Sequence, residues 1–345
     1  MPSKESLLYF FSRTQSRRPA VIRQVLLNKR TVSNLFWGMQ YHLLEWLGTA
    51  PQLNAGAFDN FITQLKAENF LQEKPAGLLL TEIGLKEKEN YEHIHYRPKN
   101  PEFFQKLDEK MWGDVLQLLI QVGSELSYCN KRYYVSATSY KAQFYFKRWF
   151  QQNKSAGLSK TIKKNLLSFL AGKLQEEADI FAASFNGHGV IAKTAVQLAK
   201  SSETYTVEDI NTLWRDYSVM FAMYLIKQND VFYSLVKPLL KNSLLSNSAF
   251  TTYELFNKGV SLEKIGQLRK VKLSTVKEHL LEAAIFEHNF TFERIINQNE
   301  YKILADNFSE KAPLDWNYQQ LKEKNIQLDF FKFRLFQIER SRYDF

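Results

Sequence analysis

The sequence predicts a mostly α, multi-helical protein, and three observations carry that expectation. Turn residues are scarce: 345 residues include only 13 Gly and 8 Pro. Average usage is roughly 7% and 5%, so the chain lacks the turn residues of a many-stranded β protein and a mostly helical fold is favoured. Apolar residues recur at helical spacing along most of the chain. Small hydroxyl side chains sit ahead of several of these stripes, where helix N-caps are wanted. With 45% hydrophobic and 14% aromatic residues, the chain can build two or three cores.

Residues 7–47 read as helical, with Leu26, Leu27, Leu35, Phe36, Leu43, Leu44 and Leu47 as paired apolar positions about two turns apart. Gly48-Thr49-Ala50-Pro51 ends the stretch. Phe58, Phe61, Ile62, Leu65 and Phe70 form the next stripe. Phe70-Leu71-Gln72, Pro75-Ala76-Gly77 and Leu78-Leu79-Leu80 then read as a short hairpin, and Thr81 as the cap of a following helix. Helix, small hairpin and helix together are winged-helix-like. The candidate recognition helix, 55–68, carries Asp59 and Glu68 beside Lys66, which favours protein contact over phosphate contact. Residues 84–101 are charged, lack a stripe and read as a linker.

Residues 102–240 hold several helices. One runs through Trp112, Val115, Leu116, Leu119, Ile120 and Leu126, and a second through Leu166, Leu167, Leu170 and Leu174. A third runs through Leu213, Tyr217, Phe221, Tyr224 and Leu225, and Thr206 with Asp209 marks its start. A polar break at 241–248 precedes the C-terminal module. The expected domains are a winged-helix-like 1–95, a basic helical 96–245 and a helix-turn-helix 246–345.

Charge is distributed unevenly among these segments. The chain carries 46 Lys+Arg against 36 Asp+Glu, a net charge of +10. By residue counts, 1–95 has net charge +2, 96–245 net +7 and 246–345 net +1. Residues 126–175 contain no acid and ten cations: Lys131, Arg132, Lys141, Lys147, Arg148, Lys154, Lys160, Lys163, Lys164 and Lys173. Aromatics alternate with them at Tyr128, Tyr133, Tyr134, Tyr140, Phe144, Tyr145, Phe146, Trp149 and Phe150. Clustered Lys and Arg suit phosphates, which bind them with release of counterions, and aromatic faces can stack bases. The expectation here is that most of these aromatics are core, on a different face from the cations. The basic face is expected to meet an anionic partner, with DNA leading.

The C-terminal module has the most specific pattern. In residues 249–284, Leu255 and Phe256 belong to a first helix that Gly259 stops. Ser261 caps a second, with Leu262, Ile265 and Leu268 expected inward. After a turn at 270–273, Ser274 is expected to cap a third, with Val276, Leu280 and Ala283 or Ala284 inward. This is helix-turn-helix spacing, in which the second helix of the motif enters a groove. Lys272, Ser274, Thr275 and Lys277 are the outward candidates for phosphate and base contact. Glu278 and Glu282 oppose that use. Docking on another protein is the alternative for this module.

The string LFNKGVSLEKIGQLRKVKLSTVKEHLLEA resembles the helix-turn-helix domain at the C-termini of some RecQ-family DNA helicases. Residues 318–340, YQQLKEKNIQLDFFKFRLFQIER, are similar to that domain's last segments. The length, the basic middle and the segment GSELSYCNKRYY also resemble the YpbB-like proteins of firmicutes, whose gene lies beside a RecQ-type helicase gene. The resemblance implies DNA-associated work beside a RecQ-type helicase. The favoured expectation is a non-catalytic DNA-binding accessory protein in replication or repair. A protein-only adaptor on the helicase and a transcription regulator are the alternatives.

No enzyme signature emerges. There is no GxxxxGK[ST] loop, no HExxH and no GxSxG. His93 and His95 have no third ligand at metal spacing, so neither a metal nor a cofactor is expected. Glu176-Glu177 and Glu208-Asp209 are adjacent pairs that do not converge on a helix. Cys129, the one cysteine, is expected as a buried inert thiol in a reducing compartment. The apolar stretch near residue 8 is too short for a signal peptide and no run is long enough to span a membrane, so the expected location is the cytoplasm, at the nucleoid.

Overall fold

The computed structural model describes residues 3–136 and 139–342. It is mostly helical, and its sheet is a single antiparallel hairpin. In chain order the helices begin with α1 (Pro19–Leu26) and α2 (Val32–Gln40). Then come α3 (Ala55–Ala67), the hairpin of β1 (Leu71–Lys74) and β2 (Gly77–Leu80), and α4 (Glu82–Ile94). The middle of the chain forms α5 (Phe103–Lys106), α6 (Glu109–Ser127), α7 (Tyr140–Asn153) and α8 (Leu158–Leu170). It continues with α9 (Gln175–Ala183), α10 (Ala195–Ser201), α11 (Val207–Gln228) and α12 (Tyr233–Val236). The C-terminal part has α13 (Asn247–Asn257), α14 (Leu262–Arg269), α15 (Leu273–Phe286), α16 (Gln298–Phe308), α17 (Gln319–Glu323) and α18 (Phe330–Arg342).

Two compact units result. One combines Met1–Pro19 with Glu45–Asn242, and the other combines Ala20–Leu44 with Ser243–Phe345. Segment 1–95 therefore contributes to both, and the stretch 96–242 shares a unit with the hairpin region.

In the first unit, helix starts follow local chemistry. The Thr81 hydroxyl accepts from Gly84 N at 2.9 Å, and Thr206 with Asp209 forms a reciprocal capping box. The hairpin pairs Leu71 with Leu80, and Arg17 extends it with a bridge to Leu78. The helical reading of 7–47 holds in pieces: 3-10 turns at Glu5–Phe10 and Leu44–Trp46 precede and follow α1 and α2 along the chain, with left-handed breaks at Asn28 and His42. One expectation is corrected here: of the expected linker 84–101, residues up to 94 are helical. The helix α4 lies against the turn Glu5–Phe10, with Tyr91 edge-on to Tyr9 and the Lys88 ammonium 5.9 Å from the Tyr9 ring. Its inward residues include Gly84, Lys88, Tyr91 and Glu92, which hydropathy does not mark.

The larger core of this unit is built on α6 and α11. Trp112, Val115, Leu116 and Leu119 of α6 meet Leu213, Tyr217, Phe221 and Leu225 of α11, and Trp112 donates to Ser218 O at 2.7 Å. Both α7 and α8 pack on α6. At Gly123 a Cβ would lie 2.9 Å from Ile162, so α8 comes this close only because the residue is glycine. The inner stripe of α8 is Leu158, Ile162, Asn165 and Phe169. This corrects the leucine stripe: Leu166 and Leu170 are half-buried, while Leu167 and Leu174 are exposed. The inward polar Asn165, which donates to Asp230, conceals the true periodicity.

A strap at residues 95–99 is fastened to α11 and α9 by buried carboxylates. The His95 Nδ1 lies 3.0 Å from Asp209, and Tyr96 N donates to the same carboxylate at 3.0 Å. Tyr96 Oη and Lys99 N donate to Asp216 at 2.7 and 2.8 Å, and Lys99 Nζ meets Glu177 at 2.7 Å. Burial raises the Asp216 carboxyl above its usual range despite these donors.

In the second unit α15 is central, packed by α2, α13, α14 and α18. Leu280, Leu281, Ala283, Ala284 and Ile285 are all buried. Glu282 is buried among them and forms an ion pair with Arg30 Nε at 3.1 Å. The same carboxylate accepts from Ser246 N at 2.7 Å and Ser246 Oγ at 3.0 Å. The Arg30 guanidinium also donates to Leu244 O and lies 5.0 Å from the Phe286 ring. This cluster joins the turn between α1 and α2 to the start of α13. Replacing Glu282 by Ala strands the mostly buried Arg30, and the expected cost is about 3 kcal/mol by denaturant unfolding. The double replacement Arg30→Met with Glu282→Met should recover most of it.

Burial and the nearby Glu293 raise the Glu339 carboxyl of α18 to about 6, and its Oε2 has no hydrogen-bond partner among the described residues. The folded state therefore holds this proton more tightly than the unfolded chain does. Its contribution favours folding below about pH 4.5 and is lost as pH rises through about 6. Glu339→Gln should raise stability at pH 7 by about 1–2 kcal/mol and remove that part of the pH dependence.

Candidate nucleic-acid interface

The geometry of the acid-free run starts from how α7 is anchored. Ala142, Phe146 and Trp149 are buried. Tyr145 Oη donates to Leu235 O at 2.6 Å and Trp149 Nε1 to Ser234 Oγ at 3.0 Å. These bonds fix the rotation of the helix, and its opposite side faces solvent. On that side lie Tyr140, 86% exposed, and Phe144, 72% exposed, together with Lys141, Lys147 and Arg148. Positions i, i+4, i+7 and i+8 fall within one face of a helix with 3.6 residues per turn. The expected separation of aromatics from cations is thus corrected: α7 presents both together. Tyr128 and Tyr134 are exposed as well, whereas Tyr133, Tyr145 and Phe150 are half-buried.

Helix α8 presents a second stripe. Lys160, Lys163, Lys164 and Leu167 are exposed at spacings of three and four residues, opposite its buried side. Lys131 and Arg132 are exposed before α7, and Lys154 after it. None of these nine cations forms an ion pair among the described residues. Lys173 differs from them. It is half-buried, its ammonium lies 4.9 Å from the Phe169 ring, and burial lowers its pKa.

In the C-terminal module α13, α14 and α15 form the helix-turn-helix. Gly259 takes φ +85° to end α13, and Ser261 Oγ accepts from Lys264 N to start α14. Lys270, in the left-handed region, makes the turn, and only Val271 and Lys272 separate it from α15. Two expectations fail here. Ser274 does not cap the helix, because so short a turn makes α15 begin at Leu273 with Lys272 in the N-cap position. Leu268 is 58% exposed, because Arg269 continues the inner stripe from Ile265. Arg269 donates to Ser248 O at 2.7 Å and to Thr252, beside His279, and burial with that cation lowers the His279 pKa.

Of the four outward candidates, Lys272 and Ser274 are exposed and Thr275 is half-buried. Lys277 is held by Asp329 and packs 5.4 Å from the Phe331 ring. Glu282 points inward, so it does not confront a ligand at this surface, while Glu278 is exposed.

Other candidates from sequence resolve differently. Cys129 is exposed, in the left-handed conformation that ends α6. His188 sits in the turn after α9, stacked on Tyr128 and 2.8 Å from Glu125. Glu177 and Asp209, one from each adjacent acid pair, are both drawn to the strap. A cavity of about 600 Å³ lies beside the strap, lined in part by His93, His95, Lys99 and Tyr205. No group of three or more His, Cys, Asp or Glu is placed to hold a metal among the described residues. None of their helices is long and apolar enough to cross a membrane.

Residues 248–337 match a helix-turn-helix domain family. This is the fold that α13, α14 and α15 display. The chain is also similar to Protein YpbB of Bacillus subtilis (strain 168), with 23% identity over 203 residues. That match covers 55% of this chain and 54% of the relative, so the chain spans about half the relative's length. No solved structure matches the chain.

Proposed function

We propose that this chain is a non-catalytic DNA-binding accessory protein that works with a RecQ-type helicase in replication or repair. The observation that carries the reading is the set of solvent-facing cations around α7 and α8 that have no acidic partner among the described residues. Nine positive charges left unneutralised in this way favour a polyanion. A helix-turn-helix domain in the same chain supports DNA as that polyanion. The helicase partner rests on the resemblance of the C-terminal module to the ends of RecQ-type helicases.

The two regions divide the work. The α7 and α8 surface grips phosphates without regard to sequence. The helix-turn-helix offers a smaller polar face at Lys272 and Ser274. A second reading for this module is docking on the helicase itself. It is favoured by Leu268 and Leu273, both exposed on either side of the motif's turn.

The double reversal Lys163→Glu with Lys164→Glu should leave unfolding free energy within about 0.5 kcal/mol, since both side chains are exposed and unpaired. DNA affinity should fall, and the slope of log K against log salt should lessen by about 2. Wild-type protein that fails to bind any DNA at about 50 mM salt would overturn the DNA reading. Co-purification with the helicase that survives nuclease treatment but is lost in Leu268→Glu would assign the docking role to the motif.

A further inference from the structure

We infer that the outer face of α7 is a base-stacking platform, so that this surface takes single-stranded DNA in preference to duplex. The inference rests on the DNA-binding reading above and names the form of DNA.

Tyr140 and Phe144 are large aromatic rings left mostly in solvent, on a helix whose other side is anchored by Phe146, Trp149 and the Tyr145 hydroxyl. Their exposure is therefore not slack in the packing. Four residues separate them, about 6 Å along the helix axis. Stacked bases in a duplex rise only 3.4 Å per step. Two bases resting on these rings are thus parted from each other, which a single strand allows and a paired duplex resists. Lys141, Lys147 and Arg148 flank the rings on the same face and are free of acids among the described residues. They can follow the phosphates of a strand whose bases turn inward to the rings. Aromatic rings interleaved with cations are the chemistry by which single strands are bound without sequence readout. Duplex phosphates could use the cations alone and would leave Tyr140 and Phe144 idle.

The test uses the full chain and labelled oligonucleotides: a 20-mer oligothymidylate, a 20-base-pair duplex and a 20-mer oligouridylate, read by fluorescence anisotropy at about 50 mM salt. Wild type should bind oligothymidylate more tightly than duplex. Tyr140→Ala with Phe144→Ala should weaken oligothymidylate binding at least about tenfold and leave duplex binding unchanged. Phe144→Trp should retain it. Lys147→Glu with Arg148→Glu should weaken both DNA forms. If the alanine pair binds oligothymidylate as wild type does while the reversed pair does not, the platform is overturned and the DNA reading stands. Equal losses on duplex overturn the single-strand preference. Tighter binding of oligouridylate overturns the assignment to DNA. A wild type that binds none of the three overturns the DNA reading itself.

Discussion

A carboxylate buried in a helical core is costly without donors, and four buried carboxylates of this chain find them far away in sequence. Glu282 reaches Arg30 and Ser246, and so gathers α1, α2, α13 and α15 into one unit. Asp209, Asp216 and Glu177 reach the strap at 95–99, and so close the larger unit around α11. An unpaired buried carboxylate costs several kcal/mol, whereas a paired one need only break even.

The same constraint shapes the surface. Acids that are satisfied inside cannot balance cations outside. Lys131, Arg132, Lys141, Lys147, Arg148, Lys154, Lys160, Lys163 and Lys164 are left facing water with no acid in their own stretch of sequence and none in contact among the described residues. The positive surface therefore follows from an acid-free stretch of sequence whose cations the fold leaves unpaired among the described residues. It also coincides with exposed aromatic rings on α7, which gives the charge a partner chemistry narrower than any anion.

Much of this was legible from local signals. Capping chemistry placed the starts of α4, α11 and α14, because a side-chain oxygen satisfies its own helix end without help from elsewhere. The hairpin, the α6 and α11 stripes and the helix-turn-helix spacing were readable for the same reason. Two misread helices share a different cause. Polar groups stand inward where apolar ones were expected: Asn165 in α8 and Arg269 in α14. Each has a partner distant in sequence, Asp230 for Asn165 and Ser248 for Arg269. Leu167 and Leu268 face solvent instead.

The sequence by itself determined the helical class, the helix-turn-helix and the acid-free run, since these depend on residue type and short-range periodicity. Tertiary structure decided which side of α7 and α8 faces water. Rotation of α7 is set by bonds from Tyr145 and Trp149 to residues about ninety positions away, and it turns Tyr140 and Phe144 outward beside the cations. It likewise decided that Ala20–Leu44 joins the C-terminal unit and that Glu282 is inside. Burial and pairing are properties of where distant segments meet, and that meeting is the sum of many contacts rather than a local preference.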